Sequence, residues 1–277
     1  GITGVTSVAF IIGWEPALTL LGTEPSAAIE NEGLAVVALF LLMGAFATEA
    51  GVSADMYRLA YAMIGHFRGG LAMATIGGCA GFGAICGSSI ATTATMAKIA
   101  LPEMLDRNYK HTLASGCIAA GGTLGMLVPP SVVMIIYGIL TEESIIALFA
   151  AAIFPGIIAT ILYCITIAFF VRLKPDSGPA GERIPWKEKI AVLIASWRFL
   201  LIAIVVSGGI YTGVFTITEA ASVGASLAFV FAIFNGMKME QFLNCLTSTA
   251  SNTGMIFVII MGASIFSYFI TLSGLPD

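Results

Sequence analysis

Gly87, Ser88 and Ser89 sit near the middle of residues 69–101, GGLAMATIGGCAGFGAICGSSIATTATMAKIAL, a run whose one charge is Lys98. Thr92, Thr93 and Thr95 follow closely. A second cluster, Gly121-Gly122-Thr123-Leu124-Gly125 and then Val128-Pro129-Pro130-Ser131, interrupts the apolar residues 112–140. Glycine weakens a helix, and Pro129 and Pro130 lack the N–H groups that would bond carbonyls one turn earlier. Breaks of this kind at membrane depth present hydroxyl and carbonyl oxygens, the donors Na⁺ takes at unwound helices. A half-helix beginning after Ser89 also turns partial positive charge toward an anion. The chemistry on offer is cation and anion binding.

Each of these residues has a plainer reading. Gly, Ser and Thr in membrane helices permit close packing and hydrogen-bond between helices, and that reading weighs most on Thr92, Thr93 and Thr95. Glu219, in Thr218-Glu219-Ala220, reads as an acid at a helix start. Glu49 lies near a span end and reads as solvated. Lys98 can snorkel to the surface, while Arg198, eight residues into its apolar run, stays undecided. His66 and His111 fall in connections. The five cysteines lie in apolar segments without metal-ligand spacing and read as small buried hydrophobes. An intramembrane serine protease would need a base beside Ser88 or Ser89. Lys98 is about 14 Å away along a continuous helix, which is too far.

The elements that must position these groups are membrane helices. The chain is 58% hydrophobic and 10% charged, against roughly 25% charged in soluble domains, and its apolar runs are continuous, which excludes a β-barrel. We expect an all-α multi-span integral membrane protein. Residues 1–12 read as an incomplete first span. A connection to residue 32 carries Glu15, Glu24, Glu30 and Glu32 without Lys or Arg. Residues 33–172 form a first unit: a span at 33–50, an amphipathic helix at 53–66, the run 69–101, an interrupted run at 112–140 and a span at 154–171. Residues 173–189 read as a soluble linker. Spans at 190–211 and 218–234 make a scaffold-like section (190–235). A second unit (236–277) opens with an amphipathic helix at 239–251 and a span at 253–270. With no initiator Met and an end at a turn, the chain reads as a fragment.

Residues 172–189 carry most of the Lys and Arg of any connection, so they are expected at the cytoplasmic face. Arg58, Arg68, Arg107 and Lys110 join them only if residues 69–101 enter and leave by that face. The run is too short for two full spans and long for one. Two half-length helices meeting near Gly87-Ser88-Ser89 fit, which makes a re-entrant hairpin. Leu39–Ala45 (LFLLMGA) and Phe257–Ala263 (FVIIMGA) match and run in opposite directions under this orientation, as inverted repeats require.

At GGLAMATIGGCAGFGAICGSSIATTATMAKIALPEM, GTLGMLVPPSVVMIIYG, ALFAAAIFPG and GVFTITEAASVGA the chain resembles the large permease subunit of tripartite ATP-independent periplasmic (TRAP) transporters. The likeness covers most of the chain from about residue 33. Where the family pattern usually has Pro between two threonines, this chain has Ile217. The resemblance implies an elevator-type, Na⁺-coupled secondary importer in a bacterial or archaeal cytoplasmic (inner) membrane. It implies organic-acid substrates such as C4-dicarboxylates and sialic acids, a small membrane subunit and a periplasmic substrate-binding protein. By that pattern Gly87, Ser88 and Ser89 lie at the first hairpin tip, and Gly122, Thr123, Pro129, Pro130 and Ser131 line the adjacent broken helix. We expect Ser88, Ser89 and Thr123 to hold Na⁺ as coupling ion, with Thr92 nearby. No enzymatic activity, other cofactor or nucleic-acid partner is expected, and the second half of the site would lie past Asp277. A stand-alone divalent-anion/Na⁺ symporter is the alternative, and a purely structural subunit a further one.

Overall fold

Backbone groups in a hydrocarbon solvent have no partner but one another, so continuous apolar runs fold as helices. The computed structural model describes residues 1–30, 32–181 and 183–274, and these are helical almost throughout. Helices α1 (Ile2–Ile12), α2 (Trp14–Glu30), α3 (Ala35–Glu49) and α4 (Val52–Ile64) lead to a pair, α5 (Gly70–Cys86) and α6 (Ser89–Asp106). Next come α7 (His111–Gly122), α8 (Leu124–Leu127), α9 (Val132–Thr141) and the long α10 (Ile145–Leu173). After the connection follow α11 (Trp186–Ala195), α12 (Trp197–Ala203), a π-helical stretch (Ile204–Gly208), α13 (Gly209–Tyr211), α14 (Ile217–Phe234) and α15 (Met239–Leu272). Among the described residues four segments are long and apolar enough to cross a membrane: His111–Thr141, α10, α14 and α15. The number rises to six if the bent pairs α3/α4 and α11 with Trp197–Tyr211 each count as one span. The expected all-α multi-span architecture is what forms.

α5 is the centre of the molecule. Most of its residues are buried, and α3, α4, α6, α7, α8 and α10 all pack on it. The surrounding core gathers Phe40, Met43, Phe82, Met96, Leu124 and Phe149. By contrast, α10 turns Phe154, Ile161 and Phe169 outward, each more than half exposed, as a lipid-facing helix does.

Several boundaries differ from expectation. Most of the four-acid connection is helical, as α2 (Trp14–Glu30), with Pro25 inside it. Residues 190–211 are not one straight helix: α11 and the following helix bend by 56°. Buried Ser196 makes the corner, its hydroxyl donating to the carbonyls of Val192 and Asp55, so α11 lies along α4. Residues 239–251 and 253–270 form one helix of 34 residues; Gly254 alone costs only about 1 kcal/mol and no proline forces a break. Leu275–Asp277, the end of the turn expected after the second repeat, lie outside the described residues.

The connection expected as a soluble linker is bound to the rest of the fold. Backbone bonds tie it to the base of the α5/α6 pair: Gly69 N–H to Gly178 O (3.1 Å), Lys110 N–H to Ser177 O (3.1 Å) and Gly181 N–H to Gly65 O (3.1 Å). Arg68 and Ala180 form an isolated antiparallel bridge. The segment is a strap. Helix ends leave backbone groups unpaired, and here the connection satisfies them.

Candidate functional site

α5 and α6 are antiparallel. Cys86 meets Thr92 (Sγ–Oγ1 3.0 Å), a Cβ at Gly78 would stand 3.6 Å from Met96 Sδ, and Thr75 Oγ1 lies 3.6 Å from Met104 Sδ. Pairs that widen evenly from residue 88 define a hairpin with its tip at Gly87-Ser88. The arms, of 17 and 18 residues, are each about 25 Å long, close to half the length of the run. α6 gains its extra turn by continuing through Pro102 to Asp106. Both arm bases meet at the strap, since Tyr109 accepts from Leu71 N–H (3.2 Å) and donates to Pro179 O (2.8 Å).

The tip needs its glycine. Gly87 has φ +61°, and a Cβ there would come within 3.0 Å of Pro130 O and 3.1 Å of Val132 N. Ser88, extended, caps α6 by accepting from Ala91 N–H (3.4 Å). Ser89 opens α6, and its half-buried hydroxyl has no partner among the described residues.

The second break docks onto this tip. α8 ends at Leu127, the chain bends through Pro129 and Pro130 with Val128 and Ser131 extended on either side, and α9 restarts at Val132. Val132 N–H donates to Gly87 O (3.2 Å). Pro130 has no N–H for Met126 O, and buried Ser131 supplies the missing donor through its hydroxyl (2.6 Å). Gly125 lies where a Cβ would be 2.6 Å from Thr92 Oγ1 and 2.8 Å from Ser88 O, and one on Gly83 would be 2.6 Å from Gly125 Cα.

The structure therefore brings together Gly87, Ser88, Thr92, Pro130 and Ser131, with Ser89 at the start of α6 and Pro129 buried beside them. Gly122 packs under Thr93. Thr123 is committed elsewhere: its hydroxyl donates to Ala120 O (2.7 Å) and pairs with Tyr163 on α10 (3.1 Å). Sequence reasoning missed Cys86, Gly83 and Tyr109, because a small apolar residue or a loop tyrosine carries no signal of what it touches. Among the described residues no group of His, Cys, Asp and Glu could hold a metal. The oxygens gathered at the tip are neutral hydroxyls and carbonyls, and α6 begins there with the N-terminal end of its dipole.

Glu219, Arg198 and Glu49 serve helix ends and helix contacts. Glu219 and Thr216 form a capping box. Arg198 donates to Ala50 O at the end of α3 (2.7 Å), with Asn235 beside it, placing a cation where helix carbonyls are unpaired. Glu49 accepts from Gln241 (2.6 Å). His111 lies at the hairpin base, a full arm from the tip, and Lys98 is exposed. Among the described residues no base of the kind a serine nucleophile needs is bonded to Ser88 or Ser89.

The family model described as tripartite ATP-independent periplasmic transporter, DctM component, matches residues 1–277. The chain is 35% identical over 278 residues to the C4-dicarboxylate TRAP transporter large permease protein DctM of Pseudomonas aeruginosa, covering 96% of this chain and 65% of that protein. The protein of the same description from Vibrio cholerae is 37% identical, over 86% of this chain and 53% of its own length. The sialic acid TRAP transporter large permease protein SiaM of Vibrio cholerae is 30% identical, over 90% and 58%. The chain thus spans between about half and two thirds of these relatives.

Proposed function

This chain belongs to the DctM component family of tripartite ATP-independent periplasmic transporters, and from that premise we propose that it carries the first half of the ion and substrate site of a Na⁺-coupled importer of organic acids. It is a transport subunit and not an enzyme. The observation that carries the reading is the Val132 N–H to Gly87 O bond, which joins two helix breaks in one place. Na⁺ sits among the oxygens near Ser88 and Ser89, with Thr123 in reach after its link to Tyr163 opens. The bound ion orders the tip, and the α6 N-terminus then meets the substrate carboxylate. Na⁺ and substrate together favour the closed tip, so only the loaded hairpin crosses between inward- and outward-facing states. Movement of this unit against a scaffold that includes α14 makes the protein an elevator. The inverted partner of the hairpin supplies the second half of the site. The strap and hairpin base face the cytoplasm, the membrane is the cytoplasmic one, and a small membrane subunit and a periplasmic binding protein complete the machine. C4-dicarboxylates, the substrates named for two of the relatives, are the first to try, with sialic acids second.

The test is uptake by the full-length permease in proteoliposomes, with its small subunit and binding protein added or withheld. We expect uptake of an organic acid that requires both a Na⁺ gradient and the binding protein. Na⁺-driven uptake without the binding protein would move the protein to the stand-alone symporters. Uptake indifferent to Na⁺ would remove the ion-site assignment.

A further inference from the structure

Away from the tip, a groove of about 570 Å³ runs along the outside of the molecule between α10 and the start of α5. Its walls include Phe67, Met73, Ile161 and Ile165, and Arg68 and Arg172 also line it. Phe67, Ile161 and Ile165 are each more than half exposed. The contributing positions on α10, at 161, 165, 168 and 172, recur at the spacing of one helix face. From Ile161 to Arg172 the helix rises about 17 Å, close to the depth of one leaflet of a ~30 Å hydrocarbon core.

The charges are unbalanced. Arg68 and Arg172 are exposed and make no ion pair or side-chain hydrogen bond among the described residues, where the one ion pair is Arg107–Glu103. Two guanidinium groups thus share an apolar groove at the level of the hairpin base, where Gly69 packs on Val171. Guanidinium matches phosphate through paired N–H donors, and basic pockets on membrane helices recognise anionic headgroups. We propose that this groove binds an anionic phospholipid, its phosphate between Arg68 and Arg172 and an acyl chain along Ile161 and Ile165. The site touches no residue of the transport tip and does not depend on the transport assignment.

Full-length permease, purified with its co-purifying subunits, is assayed by native mass spectrometry and by thermal unfolding with added phosphatidylglycerol or phosphatidylethanolamine. Phosphatidylglycerol should be retained and should raise Tm, and phosphatidylethanolamine should do neither. The Arg68→Gln/Arg172→Gln double variant should bind phosphatidylglycerol about 25-fold more weakly, while Lys187→Gln/Lys189→Gln should bind it unchanged. Ala168→Phe fills the groove with both arginines in place and should also abolish retention; it decides the matter, with the lipid comparison on the parent protein, if the double variant does not fold. Equal binding of both lipids, or full retention in the arginine or Ala168 variants, would overturn the site. Displacement by millimolar inorganic phosphate would reduce it to a small-anion site. Cross-linking from a photoreactive residue at Ile165 to the small subunit or to another part of the permease would show a protein segment in the lipid's place.

Discussion

Two serines that look alike in the sequence hold different positions. Ser131 is fully buried and its hydroxyl donates to Met126 O, which Pro130 cannot serve. Ser131→Ala removes the donor that this carbonyl has found, a loss of about 0.5–1.5 kcal/mol, so the detergent-solubilised protein should lose a few degrees in Tm. Ser89 is half-buried with an uncommitted hydroxyl. Ser89→Ala should leave the unfolding free energy within about 0.5 kcal/mol of the parent, the range of substitutions away from such features. It should instead raise the Na⁺ concentration for half-maximal uptake severalfold. Reversed results, with Ser89→Ala unstable and Na⁺ dependence unmoved, would make Ser89 a packing residue. The sequence marked both hydroxyls, but it could not tell them apart. The difference lies in the surroundings: a carbonyl five residues back accepts from Ser131, and no described residue bonds the Ser89 hydroxyl.

The hairpin was legible as an element because length arithmetic and a glycine-serine break depend only on the chain itself. The strap was not, since a segment rich in Gly, Pro and charge reads as solvated whatever its backbone bonds to. Its attachment turns on Tyr109, whose hydroxyl accepts from Leu71 N–H, an unpaired first-turn group of α5, and donates to Pro179 O. Tyr109→Phe removes both bonds and should destabilise the protein by about 1–3 kcal/mol. Burial pushes the Tyr109 phenol up to about 12, above the ordinary value near 10. Below about pH 10 the phenol is protonated in folded and unfolded chains alike, and its contribution is fully present. Between about 10 and 12 the unfolded chain ionises first and holds fewer protons, so stability falls as pH rises. Thermal unfolding across that range should show the gap between parent and Tyr109→Phe constant up to about pH 10 and narrowing above it. A gap that stays constant to pH 12 would mean the phenol is not held neutral by the fold.

At the scale of the whole molecule, the bonds fix which ends lie together before any membrane is placed. The hairpin base, the end of α4 and the strap are joined through Gly69, Lys110 and Gly181, which puts Arg68, Arg107, Lys110 and Arg172 at one end. α10, 29 residues long, rises about 44 Å, so Glu143 before it and Asp176 after it must lie on opposite faces if it crosses. Single cysteines at Glu143, Asp176 and Ser89 in the full-length permease, labelled with a membrane-impermeant maleimide, test the arrangement. The native cysteines are buried apart from half-buried Cys164, so background labelling should be low. Glu143→Cys should label from the periplasmic side, and Asp176→Cys only once the cytoplasmic face is opened. Ser89→Cys, at the end of an arm that starts and finishes with Asp176's side, is the informative position. A moving hairpin makes it reachable from either face in turn, with Na⁺ and substrate together changing the rate from each side. A static packing hairpin leaves it unlabelled or reachable from one face regardless of ions. Labelling of Glu143→Cys and Asp176→Cys from the same side would mean α10 does not cross, and the re-entrant geometry would fall with it.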